Sequence, residues 1–247
     1  MKSAEKGGDM KGVVLAGGTG SRLFPLTKVT NKHLLPVGNQ PMLLHPIGKL
    51  REANITEILI VTGTEHMGDV VSLLGSGRDF GCHFTYRVQD EAGGIAQALG
   101  LAKSFARDES VCVLLGDNIF SDPIHEEVDR FHRQGRGARI LLKEVHDPER
   151  YGVARVDGDR VVEILEKPNN PPSALAVTGV YFFDSQVYEI IESQKPSGRG
   201  EYEITDVNNV YIEREELTWG RMRGWWTDAG TFPSYHYANR LLAEEIQ

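Results

Sequence analysis

The apolar run Gly12-Val-Val-Leu-Ala16 leads directly into glycines at positions 17, 18 and 20, and this junction restricts the possible folds more than any other stretch. A short, β-branched segment ending at a glycine loop is the pattern of a strand buried in a parallel sheet. Without Cβ atoms the glycines allow positive φ and bring backbone N–H groups close to anionic oxygens, as in an anion-binding nest. Arg22 and Lys32 add fixed charge, so the stretch from Leu15 through Gly17, Gly18, Gly20 and Ser21 to Lys32 suits a polyphosphate.

Two other glycine loops are excluded by spacing. A dinucleotide fingerprint would need a glycine three residues after Gly20, where Leu23 stands. A Walker loop would end in Gly-Lys-Ser/Thr, whereas Gly20 is followed by Ser21 and Arg22. A strand-to-helix turn with no ligand is the plain alternative, and Arg22 and Lys32 weigh against it.

The alternation continues along the chain. Strands are expected at Val13–Ala16, Ile58–Thr62, Phe84–Val88 and Val111–Leu115, with helices near Pro41–Ala53, Met67–Leu74, Gly94–Phe105 and Ile124–Gln134. This βαβα order predicts an α/β, Rossmann-like, mostly parallel sheet flanked by helices, with ligands beyond the carboxyl ends of the strands. After Gly137 strands follow more closely, at Arg139–Val145, Val153–Val156, Val161–Leu165 and Ala176–Phe183, with a turn at Asp157-Gly158 and a proline- and asparagine-rich loop at 167–172. Helices are expected at Glu203–Glu213 and after Thr231. No repeat or low-complexity tract appears.

A chain of 247 residues can bury a large core as a single domain, here residues 10–247. Residues 1–9 carry no apolar h-region and read as a disordered tail or cloning remnant, not a secretory signal. No apolar run reaches the roughly 20 residues of a membrane span. Cytoplasmic residence is the resulting expectation, and Cys82 and Cys112 are expected to be reduced and inert. The formal charge of −8 argues against nucleic acid as partner, so a polyanionic ligand must be met by local Lys, Arg and a divalent cation.

From Met10 to about Leu242 the chain resembles the sugar-1-phosphate nucleotidylyltransferases, most closely their glucose-1-phosphate thymidylyltransferase branch. The motifs that carry the resemblance are the glycine loop with Pro25-Leu-Thr27 and Lys32 ahead of Leu35-Pro-Val37, Tyr86-Arg-Val-Gln89, Leu115-Gly-Asp-Asn118, Asp147-Pro-Glu-Arg-Tyr-Gly152, Glu166-Lys-Pro168, Ala176-Val-Thr-Gly-Val-Tyr181, Arg199-Gly-Glu201 and Glu203-Ile-Thr-Asp-Val-Asn208. Ser21 replaces the usual Thr, His33 follows the motif lysine, and Ala229 stands in Trp226-Thr-Asp-Ala-Gly230 where Thr is commoner, in the metal region. Longer members continue into helical segments that form a regulatory nucleotide site, so feedback inhibition of that kind is in doubt here.

The resemblance implies a nucleotide-binding half at about 10–136, an inserted sugar-binding β portion at about 137–230 and a C-terminal helix at 231–247. Asp117, at the carboxyl edge of its strand, could hold a hard cation or cap a turn. The resemblance makes it a Mg2+ ligand, with Asp228 as the second carboxylate. No zinc-type Cys/His cluster competes. Gln89 offers one amide acceptor and two donors, enough for the imide edge of thymine or uracil, and Gly94 can bring backbone to the base. The helix after it, from Ile95, reads as packing. Lys167 and Arg199 are implied for the sugar phosphate and Glu166 for sugar hydroxyls, with Tyr151, Gly152, Val177 and Tyr181 completing the pocket. Tyr181 could equally be core.

The implied reaction joins dTTP and glucose 1-phosphate by in-line displacement, as the first step of dTDP-deoxysugar synthesis, such as that of dTDP-rhamnose. Arg22 and Lys32 would face the triphosphate. A uridylyltransferase using UTP, a catalytically silent nucleotide-sugar sensor and a nicotinamide oxidoreductase are the alternatives. A homo-oligomer, dimer or tetramer, is the expected assembly.

Overall fold

Strand β1 (Lys11–Ala16) lies at the centre of a nine-stranded sheet, and its alternate residues feed two different cores. Val13 and Leu15 pack on one face, and Val14 and Ala16 on the other. A strand buried on both faces needs apolar residues throughout, which is why its run is continuous instead of alternating. The computed structural model describes residues 10–245, and the tail expected at 1–9 lies outside the described residues.

After β1 the chain makes 3-10 turns at Ser21–Leu23, Leu26–Lys28 and Lys32–Leu34, then a small hairpin of β2 (Pro36–Val37) and β3 (Gln40–Pro41). Pro41, expected to open the first helix, belongs to that hairpin, and α1 covers Leu44–Glu52. Then come β4 (Glu57–Gly63), α2 (Met67–Leu74), β5 (His83–Gln89), α3 (Ile95–Gly100), α4 (Lys103–Ala106) and β6 (Val111–Leu115). One helix was expected over Gly94–Phe105, but two short helices stand there. Gly100 ends the first, where a Cβ would be 3.4 Å from Ile191, and tight bonds from Leu101 and Ala102 to Ala98 and Leu99 bridge the break.

Strands β6, β1, β4 and β5 lie side by side and parallel, so the chain extends the sheet to one side of β1 and then returns to the other. The gap between the carboxyl ends of β1 and β6 is therefore the topological switch point, where such sheets bind ligands.

The remaining elements are β7 (Asn118–Phe120), α5 (His125–Gln134), β8 (Ala138–Glu144), β9 (Gly152–Asp157), β10 (Arg160–Glu166), β11 (Leu175–Phe183), α6 (Val187–Ser193), α7 (Ile204–Glu213), β12 (Leu217–Arg221), β13 (Trp226–Asp228) and α8 (Phe232–Glu245). Strand β11 runs antiparallel to β6 with its last four residues, meets β9 at Ala176, and pairs β8 along its other edge. Its register with β8 shifts between Val177 and Tyr181. That irregularity frees the Gly179 N–H to donate to Asn118 Oδ1 at 3.0 Å, and a side chain on Gly179 would collide with the same oxygen.

Strands β7 and β13 form a separate antiparallel ribbon that sets Asp228 opposite Asn118 and Thr227 opposite Ile119. Cys82 and Cys112 are buried, and burial pushes both thiols up, consistent with inert packing residues.

Candidate active site

The switch point opens into a cavity of about 380 Å³ lined by loops from both halves of the sheet. Of the residues singled out in the sequence, Leu15, Gly17, Gly18, Arg22, Lys32, Gln89, Gly94, Asp117, Tyr151, Gly152, Glu166, Lys167, Val177, Tyr181 and Asp228 all line it. Gly20, Ser21 and Arg199 do not. Gly20 has φ +67°, and a side chain there would strike Thr27 and Lys32, so its part is to turn the loop. Arg199 is drawn aside by carboxylates, with its Nη2 donating to Glu203 Oε1 and Oε2 at 2.8 and 2.9 Å and to Glu166 Oε1 at 3.3 Å.

At the base of the cavity Lys32 Nζ donates to Asp117 Oδ2 at 2.6 Å, and both side chains are nearly buried. Burial, the largest influence, would push Asp117 up, but the charge and hydrogen bond of Lys32, the adjacent His33 and a hydrogen bond from Asn118 Nδ2 together hold the carboxyl well below the usual carboxylate range. His33 is buried behind them. Its backbone N–H and ring Nδ1 both meet Asn31 Oδ1, at 2.9 and 2.7 Å. Burial first, then the neighbouring Lys32 charge, lowers the imidazole to about 3, so it is neutral at pH 7.

Asp228 approaches from the opposite side on β13. Burial raises its carboxyl, and the Asp117 charge raises it further, while Arg150, Tyr151 and Arg22 oppose the shift. Gly230 marks where these groups converge. A Cβ built on it would lie 3.3 Å from Asp117 Oδ2, 3.5 Å from Arg22 Nη2 and 3.7 Å from Asp228 Oδ2. Two carboxylates facing the same space beside Gly230 are a donor set that fits magnesium, which is commonly held by one or two carboxylates with phosphate and water completing its shell.

The substitution at Ala229 was expected to touch this metal region. Its side chain instead turns away and is fully buried with Val37, Met42, Ile119 and Ala238. The difference is one of packing beneath α8.

Gln89 closes the cavity near β5. Its Nε2 already donates to Gln97 Oε1 at 2.7 Å and Gly94 O at 3.2 Å, which leaves Oε1 as the group facing the glycine loop beside Gly17. Gln97, read as part of a packing helix, is therefore a polar partner of the site. On the far side Glu166 Oε2 accepts from Thr205 Oγ1 at 2.6 Å, and Lys167 Nζ stands 3.4 Å from Glu166 Oε1. Lys167 itself has φ +43°, a conformation costly for a residue with a Cβ. Tyr181 both lines the cavity and stacks on Phe183, with ring centroids 5.9 Å apart.

Besides Gln97, three residues were not anticipated. Asn118 Oδ1 accepts from Trp226 Nε1 at 2.7 Å as well as from Gly179 N. Arg150 Nη2 donates to both oxygens of Asp228. Thr205 fixes Glu166. Asn118 and Arg150 adjoin residues that were singled out, Thr205 lies in a quoted motif, and polarity beside a motif was the available signal.

The cavity at the switch point thus joins a glycine loop, a buried Lys-carboxylate pair and a second carboxylate. The chain belongs to the nucleotidyl transferase family, whose model matches residues 11–245. It is 42% identical over 93% of its length to a glucose-1-phosphate thymidylyltransferase of Neisseria meningitidis, covering 81% of that protein. It is 41% identical over 96% of its length to the low-salt glycan biosynthesis nucleotidyltransferase Agl11 of Haloferax volcanii, covering 67% of it. A Bacillus anthracis crystal structure in complex with sucrose, provisionally assigned as a glucose-1-phosphate thymidylyltransferase, superposes with a TM-score of 0.91 at 59% identity, covering 94% of each chain. A UDP-glucose pyrophosphorylase complexed with UDP-glucose shares the fold, with a TM-score of 0.85 at 24% identity over 96% of this chain and 99% of that one.

Proposed function

We propose that the protein transfers a thymidylyl group from dTTP to α-D-glucose 1-phosphate, giving dTDP-glucose and pyrophosphate. The convergence of Lys32, Asp117, Arg22 and Asp228 on the space beside Gly230 carries this reading, because it gathers both cations and carboxylates at the end of a glycine loop. The relatives' activity supports the choice of substrates.

An oxygen of the sugar phosphate attacks the α-phosphorus in line, a new P–O bond forms, and the bond to the pyrophosphate oxygen breaks. A phosphate monoester has its second pKa near roughly 6, so the nucleophile is already anionic and needs no general base. Catalysis then rests on alignment and charge. Gly17 and Gly18 bring backbone to the triphosphate. Arg22 and Lys32 neutralise it, and Lys167 faces the incoming phosphate. Gln89 Oε1 accepts from the imide N–H of the base. Tyr151, Gly152, Glu166, Val177 and Tyr181 enclose the sugar, and Arg199 acts from outside by setting Glu166. Asp117 and Asp228 are the residues that would hold Mg2+, which when bound supplies positive charge against the reacting phosphates. A cytoplasmic location and a homo-oligomeric assembly belong to the same reading.

Pyrophosphate release from purified protein with magnesium, across dTTP, UTP, ATP, CTP and GTP, each with glucose-, galactose- and mannose-1-phosphate, tests it. Release fastest with dTTP and glucose 1-phosphate is expected. Weaker use of UTP is also expected, since one methyl group is worth only about 1–3 kcal/mol in such a pocket. No release from any pair, with nucleotide binding intact, would overturn the enzymatic reading.

A further inference from the structure

The Asp228 carboxylate is already occupied by a positive charge from the protein. Arg150 Nη2 donates to Oδ1 at 3.1 Å and to Oδ2 at 3.2 Å, and the Tyr151 hydroxyl donates to Oδ1 at 3.1 Å. The geometry matters here. In a strong fork two nitrogens each serve one oxygen, but here a single nitrogen is shared between two oxygens at the long end of the hydrogen-bond range.

The other arm of the guanidinium is held more firmly. Arg150 Nη1 donates to Asp147 Oδ2 at 2.6 Å, and the group lies 5.1 Å from the centroid of the Tyr151 ring. Arg150 stands on the three-residue turn Pro148–Arg150 with its side chain 33% exposed, unlike Lys32 at 11%. Asp228 for its part is a buried carboxylate facing Asp117, and such a group is costly to leave without a counter-charge.

We propose that Arg150 is an exchangeable counter-ion for Asp228. It neutralises the carboxylate while no divalent cation is present and yields it when one binds, keeping Asp147 as its anchor. Arg150 is thus a positioning residue acting through Asp228. The inference rests on the assignment of Asp228 as a metal carboxylate under the proposed function.

Competition for one carboxylate gives a sign that a structural arginine would not. Removing a competing cation tightens divalent-metal binding, whereas removing a mere brace loosens Asp228 and weakens it. The experiment is a Mn2+ titration of the free protein, without nucleotide or sugar phosphate, followed by the electron paramagnetic resonance of unbound Mn2+. It compares wild type with R150A, R150K and D228N, after circular dichroism has shown native folding. R150A is expected to bind Mn2+ at least about fivefold tighter, the lower end of ordinary coupling between two sites. R150K, which keeps a positive charge, is expected between R150A and wild type. Should R150A not fold, R150Q carries the same expectation. D228N separates the two ideas. If it binds Mn2+ as wild type does, Asp228 is no ligand and the metal assignment itself fails. If D228N weakens binding while R150A leaves it unchanged or weaker, the counter-ion inference alone is overturned.

Discussion

Lys32 Nζ and Asp117 Oδ2, 85 residues apart in sequence, stand 2.6 Å from each other at the mouth of the glycine loop. The pair fixes the carboxylate as an anion and leaves Asn118 to orient its other oxygen. Its charge is therefore set before any substrate arrives, which is the condition for preorganised electrostatic catalysis.

Lys32→Ala and Asp117→Asn are each expected to lower turnover at least about 100-fold, the usual cost of losing one preorganised charge-stabilising group. Steady-state pyrophosphate release measures this. Near-normal kcat in either variant would remove the pair from the catalytic machinery. Lys32→Ala should also lose about 3 kcal/mol of stability in urea, because it strands a buried anion.

Gly230→Ala puts a methyl group 3.3–3.7 Å from Asp117, Arg22 and Asp228. The contacts with Arg22 and Asp228 are ordinary, whereas Asp117 Oδ2 must give by a few tenths of an ångström, so the melting temperature should fall only slightly. The methyl nevertheless fills the space where cation and phosphate would meet, and kcat/KM is expected to fall at least about tenfold by analogy with small misplacements in reacting sites. Retained activity would show that the convergence point is not where chemistry occurs.

Gln89→Ala removes the Oε1 acceptor beside Gly17. KM for dTTP should rise about tenfold, the worth of one hydrogen bond to a group otherwise left unpaired. The ratio of dTTP to UTP use should stay constant, because the amide does not touch the position that distinguishes the bases. A changed ratio with unchanged KM would contradict the assignment.

Acid stability tests the electrostatics at His33. Its folded value is about 3 against an ordinary 6.5, so between those limits the unfolded chain binds a proton that the folded chain does not. Stability is then complete above pH 6.5 and declines as pH falls, by up to about 1.4 kcal/mol per pH unit. Urea melts from pH 7 to 4.5 should show this limb flattened in His33→Gln. Equal slopes in variant and wild type would place the acid sensitivity elsewhere.

The parallel strands were legible because burial on both faces leaves an uninterrupted apolar run, as in Val111–Leu115. The meeting of Asp117 with Asp228 was not legible from pattern, since the ribbon that joins them consists of two three-residue strands, too short to show a period. Resemblance alone linked them. Arg150 looked like one more charge in a polar turn, and Gln97 like a helix residue, because partners across the cavity leave no trace in local sequence. Strand β12, Leu217–Arg221, was missed for a related reason, as its Trp219-Gly220-Arg221 end has neither β-branching nor clean alternation.

Asn118 spends its side chain on two strands and a turn at once, accepting from Gly179 and Trp226 and donating to Asp117. A single planar amide thus serves as the keystone between the part of the pocket that would read the nucleotide and the part that would enclose the sugar. Anyone seeking to graft a new sugar preference onto this scaffold inherits Asn118, Gly179 and Trp226 as one indivisible unit. A change at any one of the three would move Asp117 on one side of the cavity and Gly179 on the other together.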